Sequence, residues 1–251
     1  MDAHDKILHE LLDIGQTLLT SGAEINRVED TLTRLGRAYG AARVDIFVIT
    51  SDIVLTMLFN DGAELTQTRR ISHAPSTDFQ KLEQLNALSR ECCTAPIPLE
   101  QLHSRVQAIA AGSAPVLHLY LGSILGAGGF AVFFGGSYYD GLVAAIMGAL
   151  VCLLQQKALP VFRNAAIFQF LTALVVGSIV CLAGRVCPLF SVDNILIGVI
   201  MLLIPGVATT NSARDMLIGH TISGLLRLAE SLLLAGALAL GFGSAIYLFG
   251  V

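Results

Sequence analysis

Charge nearly disappears from the second half of this 251-residue chain. The whole sequence holds 15 Lys and Arg and 19 Asp and Glu. Residues 114–251 keep only Lys157, Arg163, Arg185, Arg214, Arg227, Asp140, Asp193, Asp215 and Glu230. A water-facing surface carries charge on about a quarter to a third of its positions, so a stretch this long and this bare has lipid as its expected solvent. Composition leans the same way: 54% hydrophobic, 14% charged, mean hydropathy +0.71. The expected architecture is a multi-span α-helical membrane protein with an N-terminal soluble α/β domain. Residues 1–113 form the domain and 114–251 the membrane part.

Within 1–113 the apolar period changes twice. Ile7, Leu8, Leu11, Leu12, Leu18 and Leu19 recur at helical spacing, and Ile25, Val28, Leu32, Leu35 and Tyr39 mark a second amphipathic helix. Gly22 separates the two, and Gly40 ends the second as a C-cap glycine would. Three β-rich runs follow, Arg43 to Ile49, Ile53 to Phe59 and Glu64 to Arg70. Asn60-Asp61-Gly62 joins the last two as a hairpin turn, because these residues tolerate positive φ. A third helix is predicted to open at Thr77 with Gln80 in a capping box, its stripe being Phe79, Leu82, Leu85 and Leu88. After Pro96 and Pro98, Leu99, Leu102, Val106 and Ile109 lead towards the membrane half.

Several classes of function find no support in the residues. Ser51, Asp52 and His73 come nearest to hydrolase chemistry, but no nucleophile elbow and no H-E-x-x-H occurs. Arg69-Arg70 reads as a solvated strand end. The five cysteines, Cys92, Cys93, Cys152, Cys181 and Cys187, make no C-x-x-C pair, so neither a metal nor a disulfide framework is expected. A net charge of −4 argues against a nucleic-acid partner. The start, Met1-Asp2-Ala3-His4-Asp5-Lys6, lacks a signal peptide's basic and apolar regions, so a cytoplasmic N-terminal domain is expected. No cofactor is expected.

The membrane half divides into about five spans, near 115–134, 141–155, 165–183, 191–206 and 225–250. Gly122, Gly126 and Gly129 offer the first span small-residue faces. Lys157 and Arg163 in one loop place that loop with the N-terminal domain in the cytoplasm, Arg185 being a minor exception. The fourth segment is the odd one. Ile195 to Ile204 provides only ~15 Å of helix before Pro205-Gly206. Then comes Val207-Ala208-Thr209-Thr210-Asn211-Ser212-Ala213-Arg214-Asp215, small and polar.

Two readings of that segment stand side by side. A discontinuous helix lining a polar path explains hydroxyl and amide groups after a Pro-Gly break. Alternatively, span four starts near Ser191 and ends at Gly206, leaving 207–220 as a cytoplasmic loop. Arg227 and Glu230 are either an interfacial ion pair or groups facing a polar pathway. Asp140 and His220 are either capping or loop residues or part of such a path.

A family enters through particular residues. Gly22-Ala23-Glu24 with Arg27-Val28-Glu29, Ile53-Val54-Leu55-Thr56, and Asp61-Gly62 with Thr66 to Arg70 occur in order. Gly135-Gly136 with Asp140-Gly141 follows, then Ile204-Pro205-Gly206 through Asn211, Asp215 and Gly219-His220. In these the chain resembles the threonine/serine exporter family over nearly its whole length, the Pro-Gly…Asn…Asp…Gly-His series being most specific. The resemblance implies export of a small polar metabolite: threonine or serine in full-length members, a dicarboxylate such as succinate in a two-component bacterial version. In full-length members a second, shorter membrane block follows this one. The chain is therefore similar to the half-size larger subunit of a split exporter in the bacterial inner membrane. Its implied partners are a smaller membrane subunit, the lipid bilayer and the small-molecule substrate, with a higher oligomer as a further expectation. Carried onto this chain, the resemblance points to Pro205, Gly206, Thr209, Asn211 and Asp215 as the substrate path. Asp215, Glu230 and Asp140 are the candidates for proton coupling. A membrane-anchored hydrolase and a metabolite-sensing regulatory subunit are the competing functions.

Overall fold

The computed structural model describes residues 3–71, 77–112, 115–162 and 164–249. His73, Arg163 and the expected boundary residues 113 and 114 lie outside them. The chain is mostly helical with one small sheet, and its contacts divide it into two compact units. One comprises Met1–Ser113 and Val207–Leu228, the other Ala114–Gly206 and Ala229–Val251.

In the first unit α1 (Ala3–Thr20) and α2 (Ile25–Ala38) precede three antiparallel strands, β1 (Ala41–Ile49), β2 (Asp52–Phe59) and β3 (Glu64–Arg70), in the order β1-β2-β3. Strand β2 alternates strictly, with Ile53, Leu55, Met57 and Phe59 buried, so one face of the sheet meets the helices. Leu8, Leu11, Leu12 and Leu18 of α1 and Ile25, Val28, Leu32 and Leu35 of α2 fill the same core. The hairpin forms where the sequence places it. Gly62 takes φ +86°, and Asp61 Oδ1 accepts from the Ala63 N–H at 3.1 Å.

Helix α3 (Phe79–Thr94) differs from expectation at its start. Asp78, one residue after Thr77, is the N-cap, and its carboxylate accepts from the Lys81 N–H at 3.0 Å. Leu82, Leu85 and Leu88 of the expected stripe are buried, with Cys92, while Phe79, at the first helical position, stays 67% exposed. Helix α4 (Leu99–Ala111) completes the N-terminal part, burying Leu102 and Val106.

The second unit contains α5 (Val116–Phe133), α6 (Tyr138–Lys157), α7 (Ala165–Val186) and α8 (Val192–Leu203). Helix α9 (Gly206–Ile218) follows α8, and α10 (Thr221–Phe249) passes from the first unit into the second at Leu228. Among the described residues four helices, α5, α6, α7 and α10, are long and apolar enough to cross a membrane. The pair α8 and α9, bent by 53° at its break, makes a fifth if it counts as one span.

Small residues set the packing of this unit, though not all at the expected positions. A Cβ at Gly126 would touch Leu202, but Gly122 and Gly129 face open space. The close approaches fall at Gly128, Gly148, Gly198 and Gly241, where a Cβ would lie 2.9, 2.5, 2.5 and 2.5 Å from a backbone carbonyl of a neighbouring helix. A uniformly apolar helix such as α5 gives no periodic hint of which glycine faces a partner.

Asp140 is a built-in fastening. Its Oδ2 accepts from the Ser137 N–H at 2.7 Å and the Ser137 hydroxyl at 2.8 Å, forming a capping box at the start of α6. Its Oδ1 accepts from the Ser191 N–H at 2.8 Å, ahead of α8. The Asp140→Ala variant should lose about 1–3 kcal/mol, from the cap and from a part-buried Ser191 N–H left without its acceptor. A thermal melt of the detergent-purified protein checks this; an unchanged midpoint would count against the fastening role.

Candidate functional site

The Pro-Gly break is explained locally. Ile204 ends α8, and Pro205 has no N–H with which to continue its ladder. Helix α9 then runs to Ile218 and stops at Gly219 (φ +111°), where the His220 N–H returns to the Asp215 carbonyl at 2.9 Å. The start of α10 folds back tightly against α9: a Cβ on Gly224 would lie 2.7 Å from the Ser212 carbonyl. Only glycine permits that approach.

This fold-back buries two opposite charges. Asp215 is fully buried and Arg227 only 5% exposed, and their side chains pair at 3.2 Å. The guanidinium sits off the hydrogen-bonding direction of the carboxylate, so the contact is charge against charge. A pair this dry is costly to form and more costly to break.

Around it, the segments that the sequence singled out separately come together. Asn211 Nδ2 donates to the Gly22 carbonyl at 3.4 Å, and Arg227 Nη2 to the Ala23 carbonyl at 3.3 Å. Arg214 pairs with Glu24 at 2.7 Å, and His220 with Glu29 at 3.7 Å. The Ser223 hydroxyl donates to the Val48 carbonyl at 3.2 Å. The Gly22-Ala23-Glu24 turn exposes two carbonyls because Gly22 holds φ +90° there. Thus 207–228 is docked polar group by polar group onto the turn before α2, onto α2 itself and onto β1.

The other expected positions fare differently. Pro205 and Gly206 form the break, and Thr209 is exposed, its carbonyl accepting from the Ser212 hydroxyl at 2.7 Å. Glu230 is exposed on α10, and Asp140 serves the capping network of the second unit. Arg227 pairs with Asp215, across the α9–α10 turn. Ser223, Glu24 and Glu29 were not among the expected site residues. Their partners lie well over a hundred positions away in sequence, and no local pattern carries that information.

Glu29 gives the cluster a pH signature. Burial pushes its carboxyl above the ordinary value of 4.5, against the opposing pull of His220 and the Val48 backbone, while Asp215 adds to the rise. Between that ordinary value and the raised one, the native chain holds a proton that the unfolded chain releases. Stability therefore falls as pH rises through that window. Glu29→Gln is expected to flatten this slope and raise the melting temperature above the window, as read from melts across a pH series. A variant with the slope of the parent would exclude Glu29 as its source.

Among the described residues, Glu10, Asp13 and His103 offer ligand atoms within 4.8 Å of one another. Arg69 already pairs with Asp13 at 2.8 Å and His103 hydrogen-bonds Glu10 at 2.9 Å, so both carboxylates are engaged within the protein. Ser51 is exposed.

Apolar helices of spanning length and a polar, ion-paired insertion between the last two of them define a multi-pass helical membrane protein. The family profile described as "Putative threonine/serine exporter" matches residues 9–249, and the chain belongs to the threonine/serine exporter family. It is 27% identical over 248 residues to a "Threonine/serine exporter" of Corynebacterium glutamicum, covering 94% of this chain and 50% of that protein. A "Probable threonine/serine exporter" of Mycobacterium tuberculosis is 21% identical, over 94% of this chain and 45% of that protein. The chain thus spans about half the length of these two relatives. A "Probable succinate transporter subunit YjjP" of Klebsiella aerogenes is 28% identical, over 93% of this chain and 90% of that protein. No solved structure matches the chain significantly.

Proposed function

We propose that the protein is the larger subunit of a two-component, proton-coupled exporter in a bacterial inner membrane, with its N-terminal domain in the cytoplasm and a smaller membrane subunit as partner. Its substrate is a small polar metabolite with a carboxylate, either a threonine- or serine-type amino acid or a dicarboxylate such as succinate. The match to the relative named as a transporter subunit, over 93% of this chain and 90% of that protein, supports the split arrangement. The buried Asp215–Arg227 pair carries the chemistry.

A substrate carboxylate that competes for the Arg227 guanidinium releases Asp215, and a buried carboxylate without its counter-charge takes up a proton. Substrate binding and proton binding are then linked through one ion pair. Asn211, half-buried beside it, supplies an amide to orient the substrate. Pro205 and Gly206 break the helix, and Thr209 stands six residues before Asp215 on α9. Glu230 and Asp140 remain the secondary coupling candidates.

Proteoliposomes containing both subunits, given labelled threonine, serine and succinate under an imposed pH gradient, test this reading. Gradient-dependent flux of one substrate is expected, with Asp215→Asn abolishing its response to the gradient. Flux insensitive to pH in the parent, or an unaltered gradient response in Asp215→Asn, would remove the proposed coupling.

A further inference from the structure

Arg27 belongs to a family-like motif, yet the ion-paired cluster does not use it. It is exposed on α2 and lines a cavity of about 390 Å³ whose walls come from α2, α3, α9 and the Gly22-Ala23 turn, all within the first unit. Arg90 of α3 lines the same cavity, with the side-chain amides of Asn86 and Asn211. Phe79, exposed at the first position of α3, contributes an aromatic wall.

The charges of this wall do not cancel internally. Glu24 is committed to Arg214 at 2.7 Å, and in the neighbouring cavity that Arg27 also lines, Asp30 is committed to Arg34 at 2.9 Å. Among the described residues Arg27 and Arg90 have no ion-pair partner, and Glu83 is the unpaired carboxylate on the wall. Two free guanidiniums against one free carboxylate leave a surplus positive charge. Guanidinium forks match the paired oxygens of a carboxylate or phosphate, and the two amides can donate to the same group. An aromatic face beside it suits a short carbon body better than a bare ion.

We propose that this cavity binds a small organic oxyanion, one carboxylate or phosphate group held between Arg27 and Arg90, and that the bound ion ties α9 to α2 and α3 through Asn211. The binding stands by itself. That it regulates export rests on the function proposed above, because α9 carries the path residues Asn211 and Asp215.

Calorimetric titration of the full-length, detergent-purified protein tests the site without any gradient or partner. The probes are sodium succinate and, separately, sodium phosphate, with sodium chloride at matched ionic strength as the blank. Saturable binding of at least one probe is expected, its Kd weakened about tenfold or more in Arg27→Gln and in Arg90→Gln, on the scale of one charge-assisted hydrogen bond. Arg34→Gln, which alters only the neighbouring cavity, should bind as the parent does. Succinate alone binding identifies a carboxylate site, and phosphate binding as well identifies a general oxyanion site. Absence of saturable binding, or undiminished binding in both arginine variants, overturns the proposal. So does succinate binding that persists in those variants but vanishes in Asp215→Asn, which would put the ion on the transport path. Should Arg27→Gln fail to fold, Arg27→Lys keeps the charge and loses the fork, and unchanged affinity there also overturns it. A failed flux assay leaves these outcomes untouched.

Discussion

Replacing Arg227 with alanine is expected to destabilise the protein by about 3–5 kcal/mol, the loss typical when one member of a buried ion pair is removed and the other stays charged. Asp215 is fully enclosed, and the charge it would be left with has no water to return to. Arg227 also donates to the Ala23 carbonyl, so the variant gives up a tie to the turn before α2 as well. Asp215→Ala should cost a similar amount by removing the buried counter-charge of the guanidinium. The double replacement Asp215→Leu with Arg227→Met is the informative control. Buried pairs exchanged for apolar groups of similar volume are often as stable as the parent or more so, so the double variant should recover most of the lost melting temperature. It should still export nothing if the pair carries the coupling. A double variant that regains both stability and gradient-driven flux would reduce the pair to a structural element. One that regains neither would show that the surrounding polar network fixes the pair, since coupled residues do not add.

The second large effect belongs to the packing of the second unit. Gly198→Leu is expected to cost at least about 1–3 kcal/mol, the range for overfilling a packed interior. The lower limit is the relevant one to exceed, because the obstruction is backbone. A Cβ at residue 198 would stand 2.5 Å from the Ala127 carbonyl and 2.8 Å from the Ala131 Cβ, neither of which can rotate away. Helices α5 and α8 would have to separate, losing the van der Waals contact that drives helix association in lipid, where apolar burial gives little. Gly129→Leu, at an open position, is the matched control and should change the melting temperature little. Equal losses in the two variants would mean that close approach at residue 198 does not set the helix spacing.

Legibility differed between the two halves for physical reasons. The N-terminal helices and the hairpin at Asn60-Asp61-Gly62 follow from local periodicity and turn chemistry, which a short window contains. The start of α3 was misplaced by one residue because Thr77 and Asp78 are both good N-caps, and only the fold selects between them. Membrane-length helices were legible from the lack of charge, but their contact faces were not. In α5 nearly every position is apolar, and Gly128, which meets the Gly141 carbonyl, looks no different from Gly129, which meets nothing. At the candidate site, the sequence showed Asn211 and Asp215 as polar residues after a break and Arg27-Val28-Glu29 as a family-like run. It did not show that Asn211 reaches Gly22, or that His220 reaches Glu29. Such pairings exist only once the chain has folded back on itself.

The Asp140 carboxylate has a consequence for the order of assembly. One of its oxygens closes a turn three residues long, which can form as soon as α6 begins to wind. The other waits for Ser191, 51 residues onward, and so for α7 to form and fold back. The residue is engaged early through one oxygen and completed late through the other. Each emerging helix pair therefore meets a start of α6 that is already shaped, and the last bond acts as a latch reporting that the intervening helix has found its place.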